Sequence, residues 1–156
     1  MRFTLIDKIV ELQPGARITA LKGLSLAEEY LSDHFPLFPV MPGVLMLESL
    51  SQCGAWLIRV SEDFAHSVVI LEEARNVKYA DFVQPGETLA LVAELDKQDQ
   101  HRTWLKCQGT VGQRVAVRGR LVLRRYNLAE QDPAHAEIDH YLRRRMREQL
   151  QLLCQP

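Results

Sequence analysis

Between Val44 and Val60 the chain carries Leu45, Met46, Leu47, Leu50, Cys53, Ala55, Trp56, Leu57 and Ile58. A helix wound from this stretch has almost no polar face, and such a helix must be enclosed by the rest of its own domain. Pro42 fits the first turn, where a missing N–H costs nothing. Ser49, Ser51, Gly54 and Ala55 permit close packing against it. Glu48 and Gln52 interrupt the run and Arg59 follows at once, so it falls short of the ~20 apolar residues of a membrane span. The leading Met-Arg-Phe-Thr-Leu-Ile-Asp-Lys meets charge too soon for the apolar run of a signal peptide.

Extended segments supply the enclosure. Residues 3–12 and 16–22 read as strands around the Pro14-Gly15 turn, and Ser25 to Tyr30 as a short helix capped by Ser25 with Glu28 as its reciprocal partner. Ser67 to Leu71 is rich in Val and Ile, as expected of a covered strand. Leu89, Leu91, Ala93 and Leu95, then Leu105 and Cys107, then Val115, Val117, Leu121 and Leu123 recur with period two. Lys106, Gln108, Arg114, Arg118, Arg120 and Arg124 take the alternate positions, as on strands with one wet face. Turn signals at 84–86, 97–101 and 112–113 separate them. One buried helix among antiparallel strands predicts an α+β domain with the sheet wrapped around the helix.

At 156 residues, with 47% hydrophobic and 25% charged, a single globular domain is expected. Lys plus Arg is 19 against 20 for Asp plus Glu, a net charge of −1, which lacks the basic excess of a dedicated nucleic-acid binder. Cys53, Cys107 and Cys154 lie far apart and form no CxxC pair or disulfide framework, so a cytoplasmic chain with reduced thiols is expected. His66, His101, His135 and His140 show no metal-ligand spacing. After Tyr126, Asp132-Pro133 opens a helix in which Ile138, Leu142, Met146, Leu150 and Leu153 form a stripe. Arg143, Arg144, Arg145 and Arg147 read as its solvated face. The expected division is a domain at 1–126 and a helical extension at 127–156, packed on that domain or on a neighbouring subunit.

The chemistry lies at 33–52. His34 sits in a loop stiffened by Pro36, Pro39 and Pro42, just before the buried helix. Imidazole titrates near neutrality and can act as a base. Glu48 falls inside the helix, and a carboxyl among apolar neighbours holds its proton more readily and can act as an acid. Gly43 at the helix start can offer a backbone N–H to a carbonyl oxygen. Gln52, one turn after Glu48 on the same face, can orient its carboxyl.

The string His34-Phe35-Pro36, Pro39-Val40-Met41-Pro42-Gly43-Val44-Leu45, Glu48 and Gln52 resembles the active-site signature of the 3-hydroxyacyl-[acyl-carrier-protein] dehydratases of bacterial fatty-acid synthesis. The likeness continues through residues 76–89 and spans roughly residues 1–125. It implies the hot-dog fold. It also implies that His34 removes the α-proton of a 3-hydroxyacyl thioester, that Glu48 helps the β-hydroxyl leave as water, that Gly43 N–H polarises the thioester carbonyl, and that Gln52 holds Glu48. The product would be a trans-2-enoyl thioester, formed without metal or other cofactor. In that family the histidine and the acid meet across a dimer interface, so a homodimer is the smallest expected unit, and hexamers occur there too. The partner implied is an acidic acyl carrier protein bearing a phosphopantetheine-linked chain, and no nucleic-acid or membrane partner is implied. An acidic carrier calls for a basic docking surface, for which Arg59, Arg75 and Lys78 are the candidates, the alternative being that they only solvate the surface. Glu48 matches the glutamate branch rather than the aspartate of the dehydratase-isomerases. Asp33 and Leu37 replace glycines common in the family, and Leu37 is expected to narrow the acyl tunnel or re-aim His34. The rival readings are a hot-dog thioesterase and a non-catalytic acyl- or carrier-binding subunit, the latter if Leu37 blocks the tunnel.

Overall fold

The computed structural model describes residues 3–156. A hairpin of β1 (Lys8–Gln13) and β2 (Arg17–Gly23) is followed by a 3₁₀ turn at Glu29–Leu31 and by helix α1 (Gly43–Ser61). Four strands then run in succession: β3 (Val68–Tyr79), β4 (Thr88–Gln98), β5 (Arg102–Val111) and β6 (Arg114–Tyr126). Two further 3₁₀ turns, Leu128–Glu130 and Pro133–His135, lead into helix α2 (Ala136–Leu153). The strands form one sheet in the order β1-β2-β4-β5-β6-β3, with every neighbouring pair antiparallel.

The core lies between α1 and the inner face of that sheet. Met46, Leu50, Cys53 and Leu57 of α1 pack in one cluster with Ile18, Leu89, Leu91, Leu105, Leu121 and Leu123. The period-two residues of β4, β5 and β6 therefore face the helix, with the exception of Val115: the β5–β6 register shifts between Gly109 and Thr110, and Ala116 takes the buried place instead. Contact is closest at Gly54, where an added Cβ would stand 2.4 Å from Leu105 Cδ1. Burial pushes the Cys53 thiol up to about 12, which keeps it protonated and unreactive.

Several local expectations are corrected. Residues 3–7 precede the first strand rather than belonging to it, because the backbone at Phe3 and Leu5 is bonded to the Gln52 side chain. Only the 3₁₀ turn forms near Ser25–Tyr30: Glu28 does not reach back to Ser25 but pairs with the buried Lys22 Nζ at 2.7 Å. Pro42 is the residue before the first turn of α1, not within it. Strand β3 runs far beyond Leu71, since β6 pairs with it as far as Tyr79 and carries it through polar residues that propensity alone would end.

Helix α2 lies against the body. Leu153 belongs to the core cluster and Met146 and Leu150 pack on it, whereas Ile138 is exposed. The buried Asp139 ties the start of the helix down. It accepts from Ser67 Oγ and, at 2.9 Å each, from the backbone N–H groups of Leu128 and Ala129. Two of the four clustered arginines also anchor the helix: Arg143 donates to Asn127 Oδ1 at 3.1 Å and Arg147 to the Asp63 carbonyl at 2.7 Å. Among the described residues no helix is long and apolar enough to cross a membrane.

Candidate active site

The proline-rich loop folds back on itself just before α1. Phe35 and Phe38 exchange backbone hydrogen bonds of 3.2 and 3.0 Å, and Val40 N–H donates to the His34 carbonyl at 3.0 Å. The His34–Phe35 peptide is cis, and the two rings stand 4.2 Å apart between centroids. His34 is half-buried, with its Nδ1 enclosed and without a hydrogen-bond partner among the described residues. Leu37 is fully exposed at the tip of the loop. Within this chain it neither narrows a tunnel nor presses on His34, contrary to the expectation from its size.

His34 and Gly43 line one pocket of ≈ 360 Å³, with Met41, Met46, Tyr79 and Phe82 as its other walls. Gly43 is the first residue of α1, where backbone N–H groups have no acceptor inside the helix and the dipole favours negative charge. A side chain here would crowd the Tyr79 ring, from which an added Cβ would stand 3.1 Å. The segment carrying Phe82 is held by Asp81, which accepts from Phe82 N–H at 2.8 Å and pairs with Arg114. Those two interactions hold the Asp81 carboxyl below its usual range.

Glu48 and Gln52 lie on a different side of the helix. Gln52 Nε2 donates to Glu48 Oε1 at 2.9 Å and to the Phe3 carbonyl at 3.1 Å, while its Oε1 accepts from Leu5 N–H at 2.8 Å. The amide is thereby fixed at both ends and fixes the carboxyl in turn. These two residues line a second pocket, of ≈ 440 Å³, with Trp56, Arg59, Val69, Leu71 and Met146 around it. The chain thus brings His34 to Gly43 and Glu48 to Gln52, but puts the two pairs in separate pockets.

The expected docking cations fall in three settings. Arg75, exposed on β3, forms a two-pronged pair with Glu73 at 2.6 and 2.7 Å. Lys78 is exposed beside a groove that also holds Arg118 and Arg120. Arg59 turns into the Glu48 pocket, its guanidinium 5.4 Å from the Trp56 ring centre. Burial lowers its pKa to about 10. Among the described residues no group of three or more His, Cys, Asp or Glu side chains is placed to hold a metal ion.

The family model of the FabA-like domain matches residues 1–123. The chain belongs to the FabA-like family. A 3-hydroxyacyl-[acyl-carrier-protein] dehydratase FabZ of Levilactobacillus brevis is 40% identical over 111 residues, covering 71% of this chain and 75% of that protein. Its namesake in Ruminiclostridium cellulolyticum is 34% identical over 119 residues, covering 76% of this chain and 84% of the relative. Among solved structures, the dehydratase heterocomplex ApeI:P from Xenorhabdus doucetiae superposes with a TM-score of 0.68 at 18% identity, over 86% of this chain and 90% of that one. The fold is the hot dog, a sheet curled around one central helix. The family match stops at residue 123, so α2 lies outside it.

Sequence reasoning missed Tyr79 and Phe82 as walls of the His34 pocket and Arg59 as a wall of the Glu48 pocket. Gly43 held a signal for Tyr79, because a glycine opening an otherwise bulky helix often marks close approach by another group. Arg59 held one too, as it falls on the Glu48 face of the helix at about three turns' distance.

Proposed function

We propose that the protein converts 3-hydroxyacyl-acyl-carrier-protein thioesters into trans-2-enoyl thioesters for fatty-acid or related acyl-chain synthesis. It acts as a homodimer in which His34 of one protomer faces Glu48 of the other. The division of the residues carries this reading: a base with a carbonyl-binding N–H in one pocket, and a fixed carboxyl in another. Neither half suffices for elimination, and a second copy supplies what each lacks. Strand β3 offers the means, being a twelve-residue edge strand with Ile70 and Tyr79 exposed, the kind of unpaired edge that pairs with another chain. Hexamers built from such dimers are consistent with the same protomer.

The chemistry follows from the placement. His34 takes the α-proton, and charge accumulating on the thioester oxygen is met by Gly43 N–H at the positive end of α1. The electron pair forms the Cα–Cβ double bond as the Cβ–O bond breaks, and Glu48 gives its proton to the departing hydroxyl, which leaves as water. His34 has gained the proton that Glu48 lost, so the cycle closes by returning it. Gln52 keeps the carboxyl aimed. No cofactor is needed for this sequence of proton transfers.

The carrier, an acidic protein with a phosphopantetheine arm, docks on the basic groove at Lys78, with Arg75 next to it. Residues 1–126 form the dehydratase unit and 127–156 an added cover. The cytoplasm is the proposed location. Incubation with a 3-hydroxyacyl carrier thioester tests the reading. Enoyl thioester supports it, free carrier thiol indicates a thioesterase instead, and tight binding with neither product indicates a non-catalytic subunit.

A further inference from the structure

We propose that the chamber behind Glu48 receives an acyl tail ending in a carboxylate, and that Arg59 is the residue that selects it. The proposal rests on the dehydratase reading and adds the class of tail. Arg59 follows Glu48 by eleven residues, about three turns, which returns it to the same face of α1 roughly 16 Å further along the axis. Helical side chains lean back toward the amino terminus, so Arg59 reaches from the far end of the chamber toward Glu48. Both residues line that one pocket. Between them Trp56, Val69, Leu71 and Met146 offer apolar walls of the kind that suit methylenes.

The far end is different. Arg59 Nε is enclosed and has no acceptor among the described residues, and its guanidinium makes no ion pair there. Neighbouring cations are matched: Arg125 with Glu62, Arg147 with Asp63, and Arg143 with Asn127. The Glu48 side chain, which shares the pocket, is engaged by Gln52. A sheltered guanidinium without a partner is costly, and it favours an anion that can fill its planar fork. A free inorganic anion would leave the apolar walls unused. A chain attached at the reacting end and carboxylated at the other uses both. Gln149 of α2 lines the same chamber, so the helix beyond the family match contributes a further polar group.

The experiment compares two 3-hydroxyacyl carrier thioesters of equal chain length, one ending in methyl and one in carboxylate, with 3-hydroxybutyryl carrier as a reference too short to reach Arg59. The native protein should favour the carboxylate over the methyl substrate by at least ~10-fold in kcat/KM, about 1.4 kcal/mol. Arg59→Met should invert that ratio and Arg59→Lys should keep part of it. Sizing chromatography and a thermal melt on each variant establish that the dimer persists. Equal use of the two long substrates, or preference for the methyl one, with normal turnover of 3-hydroxybutyryl carrier overturns this inference alone. Dissociation of the Arg59→Met dimer also overturns it, because Arg59 then pairs with the partner subunit. Failure to turn over 3-hydroxybutyryl carrier overturns the dehydratase reading itself, and this inference with it.

Discussion

Gln52 and Glu48 form a unit: the amide donates to the carboxyl at 2.9 Å and is itself pinned by the backbone of Phe3 and Leu5. The amino-terminal residues ahead of β1 thereby help aim a carboxyl on the central helix. Gln52→Leu should lower kcat by roughly tenfold, as expected when a catalytic group loses its orientation, with a smaller effect on KM. Steady-state kinetics would show it. An unchanged kcat would mean that Glu48 needs no support from this amide.

Asp139 joins α2 to the body through Ser67, Leu128 and Ala129. Burial by itself raises its pKa, but the hydrogen bonds from Ser67, Ala129 and Leu128 together outweigh burial and leave the net shift downward. A folded-state value below the unfolded ~3.9 gives stability that is complete above that pH and is lost as acid takes the solution through the folded value. Asp139→Asn should therefore cost about 2 kcal/mol at neutral pH. The gap from the native protein should narrow below about pH 4. Urea titrations across pH measure both, and a gap that stays constant into acid would contradict the assignment.

Arg125 is a buried cation at the end of β6. Its guanidinium donates to Thr103 Oγ1 at 3.0 Å and to the Asp99 carbonyl at 2.5 Å, and pairs with Glu62 at 2.6 Å. Glu62 keeps His66 and Gln98 as partners if Arg125 is lost, which softens the cost of breaking the pair. Arg125→Met should still destabilise by about 2–3 kcal/mol, at or just below the low end for disrupting a buried ion pair. Denaturant unfolding checks this, and a loss under about 1 kcal/mol would place the pair among exposed ones.

Much of this was legible in the residues. The apolar helix and the alternating strands follow from periodicity, and the string from His34 to Gln52 pointed to one site. What periodicity cannot carry is the environment that distant elements create. Alternation from Val117 to Leu123 places position 125 on the inner face, yet an arginine there reads as a surface residue until Glu62 and Thr103 are seen beside it. Leu37 looked obstructive by size alone, but the loop turns it outward. Arg59 looked like a surface cation because it ends an apolar helix, and only the packing of β3 and α2 encloses it. The separation of His34 from Glu48 within one protomer is likewise a product of the fold.

The central claim is that each site takes His34 from one protomer and Glu48 from its partner. His34→Ala and Glu48→Ala should each lose at least ~100-fold in rate as homodimers. In a mixed dimer of the two variants, one site carries both substitutions and the other carries neither. Co-expressing differently tagged variants and isolating the doubly tagged dimer allows its dehydration rate to be read directly. The account predicts recovery to about half the native rate per dimer, since one of two symmetric sites is intact. A mixed dimer as inactive as either parent would contradict it.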